Sequence, residues 1–158
     1  SLAWANVGLA ETAQRSGRNA QAIKFAEDAI KADAEYGAGL AARAVRTRSN
    51  APHTNDETVR AFFTQFDRAA TSNRKAELEA LVVKGEVTRF ASGISGQATE
   101  WKTNVHYVDR MDPNNLWVET NLSIKLLDRE VETGMAVYRL TRVGNTWKLA
   151  GVDIFEVR

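Results

Sequence analysis

Few side chains in this sequence could do chemistry. It has two histidines, His53 and His106, and no cysteine. Without cysteine there are no disulfides, thiolate metal sites or cysteine nucleophiles, and the redox compartment is left open. A metal or nucleophile site needs several His, Cys or carboxylate groups that converge. No spacing here gathers them, so no metal and no cofactor are expected. There is no Gly-rich phosphate loop and no Gly-x-Ser-x-Gly elbow. His53 lies in a Pro- and Asn-containing stretch and reads as a solvated loop residue. His106 falls between Val105 and Tyr107 in an alternating run, which puts it on the opposite face of a strand from both. The other polar candidates are Tyr107, Asp109, Tyr138 and Asp153. Asp109 precedes a turn and Asp153 sits in a strand that looks apolar on both faces, so each has a structural reading. No catalytic residue is assigned.

The elements that would position these groups come in two kinds. Residues 1–50 are Ala-rich, free of Pro and periodic at helical spacing. Trp4, Val7 and Ala10 start one stripe, and Ala22, Ile23, Ala26, Ala29 and Ile30 make a second. Gly17-Arg18-Asn19 separates them as a turn between antiparallel helices would, and a third helical run follows at Leu40–Val45. Facing stripes of small residues let helices approach closely, with Trp4 and Phe25 filling the gaps. Residues 49–56 are turn formers around Pro52 and read as a linker. Asp56 or Asn55 can cap the next helix, 57–70, whose Val59, Phe62, Phe63 and Phe66 share a side. A second amphipathic helix is expected over 75–83. From residue 98 the period becomes two. Strands are expected over 101–107, 116–127, 135–143 and 147–157, joined by turn material at Asp112-Pro113-Asn114-Asn115, Asp128-Arg129-Glu130 and Gly144-Asn145. Residues 89–96 fit either a short strand or a helical turn. Helices followed by a meander give an α+β fold: a helical hairpin, then a curved antiparallel sheet packed on helices.

Charge excludes some function classes. The formal net charge is +1. Residues 1–50 carry seven Lys/Arg against five Asp/Glu, and the rest fourteen against fifteen. This balance offers no basic field for nucleic acid; Arg43, Arg46 and Arg48 read as a solvated helix face. No apolar run approaches a membrane span. The chain starts at Ser1 inside a helical pattern, which reads as a fragment of a longer protein or a processed chain. No localisation is read from it.

Two resemblances follow. Trp4, Val7 and Gly8, with Ala22, Phe25 and Ala29, resemble the signature of a tetratricopeptide repeat. Glu11 stands where that signature has Tyr, and Ala34 where it has Pro. The resemblance implies a surface for a protein or peptide partner. Residues 55–158 resemble the nuclear-transport-factor-2-like superfamily, which includes ketosteroid-isomerase and SnoaL-type enzymes. The opening helix 59–66, the helix 76–81 and the ending Gly144-Asn145-Thr146-Trp147-Lys148-Leu149-Ala150 carry the likeness. It implies a cone-shaped domain.

Enzymes of that superfamily move protons with an inward Asp, Tyr or His. The isomerase types use a Tyr from the opening helix, where this chain has Phe62, Phe63 and Phe66. The dehydratase types pair two His with an Asp, where these strands have only His106. The expectation is therefore a non-catalytic interaction and oligomerisation module, from the C-terminal part of a larger regulatory or envelope protein. The alternative is a small-molecule-binding or isomerase/dehydratase-like enzyme, with Trp101, Tyr107, Thr120 and Tyr138 lining the cone. The last two strands look apolar on both faces, so one face should be covered. Tyr138, Leu140, Val152 and Ile154 are the expected dimer or interdomain face, with a homodimer favoured.

Overall fold

The computed structural model describes residues 2–33, 37–49, 56–72 and 74–157. The chain divides into two compact units, Ser1–His53 and Thr54–Arg158. The linker reading over 50–55 lies outside the described residues.

The first unit holds three helices: α1 (Leu2–Arg15), α2 (Asn19–Ala32) and α3 (Gly37–Arg48). Its core is built almost wholly from alanine. Ala3, Val7, Ala10 and Ala13 of α1 meet Ala22, Ala26, Ala29 and Ile30 of α2 and Ala38, Ala42 and Val45 of α3. Gly17, at φ 76°, makes the left-handed turn between α1 and α2. With such small side chains the helices need no large filler. Trp4, expected in the gap, is instead 54% exposed, its ring against the start of α3 at Gly37. Arg43 and Arg46, expected as a solvated face, are buried. A helical hairpin with a third helix is present; the finer likeness to a tetratricopeptide repeat rests on the sequence alone.

The second unit opens with α4 (Glu57–Thr71), followed by α5 (Lys75–Glu79) and α6 (Glu86–Ile94). Asp56 caps α4, its carboxylate accepting from the backbone N–H groups of Thr58 and Val59 at 3.1 and 3.2 Å. Such a cap contributes about 1 kcal/mol. The helix expected over 75–83 stops early because the backbone beyond it has another partner. Val83 N–H donates to Leu149 O, and Leu149 N–H donates to Leu81 O, both at 2.8 Å. Residues 89–96, ambiguous in the sequence, fall mostly in α6.

Four strands complete the unit: β1 (Ala98–Asp112), β2 (Asn115–Leu126), β3 (Val131–Val143) and β4 (Thr146–Val157). They form an antiparallel meander in the order β1-β2-β3-β4. The inner face meets the helices through Trp101 and Val105 of β1, Leu116, Val118, Leu122 and Ile124 of β2, Ala136, Tyr138 and Leu140 of β3, and Trp147 and Leu149 of β4. From α4, Val59, Phe62, Phe63 and Phe66 fill the concavity. Trp147 ties the two layers, its Nε1 donating to Thr58 Oγ1 at 3.1 Å.

Bulges decide which residues share a face. One in β1 lies at His106, where the pairing passes from Val105↔Thr120 to Tyr107↔Glu119. Two in β4 leave Asp153 and Ala150 unpaired, since Val137↔Ile154 is followed by Tyr138↔Val152, and Arg139↔Gly151 by Leu140↔Leu149. Each bulge reverses the parity beyond it.

Where β3 crosses the end of β4 the backbones are very close. A Cβ on Gly134 would lie 1.9 Å from Glu156 O, a backbone atom that cannot swing aside. Gly134→Ala is expected to destabilise the chain by about 1–3 kcal/mol, as overpacking does. A urea midpoint equal to the parent's would show that β4 ends before this crossing.

Candidate functional site

The apolar stripe of α4 contains one carboxylate. Asp67 lies four residues after Phe63 and three before Ala70, so helical geometry turns it toward the sheet with them. It is half-buried and held by one residue of β1. Thr103 N–H donates to Asp67 Oδ2 at 2.8 Å, and Thr103 Oγ1 donates to Oδ1 at 2.6 Å. Burial pushes the carboxyl up to about 6, against the opposing pull of the two Thr103 hydrogen bonds and the Lys102 charge. The group therefore changes protonation near neutral pH, as a proton-transfer residue must.

Two further polar atoms lie in the same wall. Trp101 Nε1 and Tyr138 Oη are buried, and neither has a hydrogen-bond partner among the described residues. Both rings flank Phe66, with centroids 6.3 Å away in each case, and both flank Phe90 at 6.4 and 6.2 Å. Burial, with the nearby Asp67 charge, pushes the Tyr138 phenol up, so it stays a neutral O–H donor. Leaving such a donor unpaired costs about 1–3 kcal/mol, and an acceptor oxygen would relieve it. Two buried donors without a partner among the described residues thus flank one aromatic ring, and the Asp67 charge acts on one of them, Tyr138. Asp67 and Trp101 also line a hollow of about 430 Å³ with Arg68, Thr71, Thr99, Glu100, Lys102 and Ser123.

The residues expected at the site separate. Trp101 and Tyr138 are on the inner face, as described. Thr120 is inner as well, but its hydroxyl donates to Ala136 O at 3.0 Å and serves the sheet. Tyr107 is not part of the cone wall. The bulge at His106 puts it on the outer face beside Glu119, and His106 there meets Asn121. Asp109 pairs with Trp117, also on the outer face. Asp153 is a clamp on that face, accepting from Trp117 Nε1 at 2.8 Å and from Arg139 Nε at 2.9 Å. His53 lies outside the described residues.

The set read as a dimer or interdomain face also divides. Tyr138 and Leu140 are buried inner residues, and Val152 packs on the same core. Only Ile154, paired with Val137, is outer. Simple alternation along β4 fails because the bulges at Ala150 and Asp153 shift it. Asp67 is absent from the residues expected at the site, although its spacing from Phe63 and Ala70 marks it as inward.

Comparison with known proteins adds outline only. No family model matches the chain, and no curated protein matches it. Two solved structures superpose on 65% of it. One, from Novosphingobium aromaticivorans, bears the provisional name scytalone dehydratase; 88% of it is covered at 14% identity and a TM-score of 0.46. The other is a hexachlorocyclohexane dehydrochlorinase, LinA type 2, with 87% covered at 11% identity and a TM-score of 0.40. No residue role is carried across at these levels. The expectation of a non-catalytic interaction module does not stand. It rested on the missing isomerase-type Tyr and second dehydratase-type His, and it left out Asp67, a half-buried carboxyl that faces the sheet and is held by Thr103.

Proposed function

We propose that the second unit is a small-molecule-binding, isomerase- or dehydratase-like enzyme of the nuclear-transport-factor-2-like kind, with Asp67 as its proton-transfer group. One observation carries this reading. A carboxyl titrating at about 6 lines a hollow with Trp101, whose buried indole N–H has no partner among the described residues. A structural carboxylate would be expected to be ionised and fully paired, or absent, since burial of a charge costs stability.

The chemistry that fits is removal of a proton from carbon next to a carbonyl. Ionised Asp67 takes the proton, and the C–H electron pair moves into the new C=C bond. The carbonyl π pair moves onto oxygen, where the Trp101 N–H can stabilise the enolate. Where the substrate carries a β,γ double bond, returning the proton to the γ-carbon moves that double bond into conjugation and isomerises the substrate. Loss of a β-hydroxyl, with that same proton, eliminates water.

The test uses solvent deuterium. Levulinate and methyl levulinate carry exchangeable protons next to a ketone, and proton NMR in deuterated buffer follows their loss. The chain is expected to catalyse exchange, with a rate that rises as pH passes through about 6 and then levels. Asp67→Asn should reduce it by about 10²- to 10⁴-fold; equal rates for the parent and Asp67→Asn would remove Asp67 from the reaction.

A further inference from the structure

We infer that Asp67 is reached from the side, through the hollow between α4 and β1, and that this hollow takes a small carbonyl compound bearing a carboxylate. The inference rests on Asp67 being the proton-transfer group, and it adds an entry route and a ligand class.

The route follows from what is filled. Phe63, Phe66 and Tyr138 are among the largest fully buried side chains, with ring centroids 5.3 to 6.3 Å apart. Rings at that spacing are in packing contact, so the deep concavity is core. The hollow of about 430 Å³ beside Asp67 is lined by residues of α4, β1 and β2, and none of these three rings is among them. Its volume is in the range of pockets for small ligands. Its wall includes Trp101, 5% exposed, whose indole N–H has no partner among the described residues. A buried donor of that kind is suited to a ligand oxygen.

The ligand class follows from charge. Arg68 follows Asp67 in α4, and Lys102 precedes Thr103, the residue that holds Asp67. One cation therefore flanks the carboxyl from each wall, and Thr71 and Ser123 add hydroxyls. Among the described residues, Glu100 is the only anion lining the hollow besides Asp67. Two cations against one fixed anion leave the rim cationic whenever Asp67 is protonated, and neutral when it is ionised. A carboxylate ligand is thus drawn in most strongly below about pH 6, and its arrival favours the protonated form of Asp67. The rim charges are exposed, so this attraction is screened by salt.

The experiment compares levulinate with methyl levulinate, its uncharged ester, by ¹H–¹⁵N spectra of the full chain. Trp101→Phe identifies the Trp101 indole resonance. Levulinate is expected to shift that resonance and the Ser123 amide, and to bind about tenfold more tightly than the ester at low salt and below about pH 6. The Arg68→Gln/Lys102→Gln variant, changed only at exposed side chains, should bind levulinate roughly fivefold more weakly, a typical effect for exposed charges, and bind the ester unchanged. Equal affinities for acid and ester would overturn the ligand class, and shifts confined to Phe90 and Phe155 would overturn the route. Deuterium exchange separates the two readings. Exchange without preference for the acid leaves the Asp67 chemistry standing and removes the hollow's ligand class. Acid-selective binding without exchange leaves the hollow and removes the chemistry.

Discussion

Phe66→Ala is expected to lower the unfolding free energy of the chain by about 3–5 kcal/mol, the range for deleting a fully buried phenylalanine ring. Phe66 has no solvent exposure. Its ring touches four others, those of Phe62, Phe63, Trp101 and Tyr138, at 6.1 to 6.3 Å. Those neighbours come from α4, β1 and β3, so no single element can move to close the gap. The loss should therefore fall near the upper end, because the cost grows with the cavity that remains. The cavity would be apolar on most sides, like those that stay dry and take up benzene. Adding benzene to Phe66→Ala should recover part of the lost urea midpoint and leave the parent unchanged. A loss below about 1 kcal/mol would mean that α4 does not fill the concavity.

The elements of this fold were legible because their periods differ. The helical spacing of Phe62, Phe63 and Phe66 in α4 and the period of two from residue 98 separate helix from strand, although β3 and β4 read as apolar on both faces. The helix lengths were less legible. Leu81, Val82 and Val83 continue the apolar pattern of α5, yet Val83 bonds to β4. A β-branched pair beside a strand edge competes with helix, and composition does not say which wins. The faces of β1 and β4 were not legible. A bulge is one extra residue, and nothing in the types at His106, Ala150 or Asp153 announces it. Each bulge changes the face of what lies beyond it, which is how Tyr107 left the cone wall and Val152 entered the core. Gly151 marks a related feature: a Cβ there would lie 2.3 Å from the Arg139 guanidinium. That glycine makes room for the Arg139–Asp153 clamp on the outer face.

The site was half legible. Trp101 and Tyr138 stood out as aromatics on alternating strands, but their unpaired polar atoms depend on what surrounds them. Thr103 carried no signal, because its role depends on which helix residue lies opposite. Asp67 did carry one. Among the residues of α4 that point inward it is the only acid, and an acid on a buried stripe calls for a partner or a purpose. Thr103 supplies the partner without removing the cost of burial, which is why the carboxyl stays raised.

That cost gives the second large effect. Asp67→Asn should stabilise the chain at pH 8 by about 2 kcal/mol while reducing deuterium exchange by about 10²- to 10⁴-fold. The native carboxyl titrates at about 6, against an ordinary value of 3.8. Below both values Asp67 is protonated in the folded and unfolded chain, and it favours neither. Between them the folded chain keeps a proton that the unfolded chain has released, so stability falls as pH rises. Above about 6 the penalty is complete and constant. The full difference corresponds to about 3 kcal/mol, reduced here because the carboxyl is only half-buried. Asparagine keeps an acceptor for Thr103 N–H and has no charge to bury, so its stability should be flat across the same window. The two proteins should be equally stable near pH 3.5 and separate steadily up to about 6. Urea unfolding at several pH values measures this, and parallel curves would show that Asp67 carries no burial cost. Stability surrendered at a single carboxyl, together with exchange lost when it is replaced, is the pattern of a residue kept for proton transfer rather than for the fold.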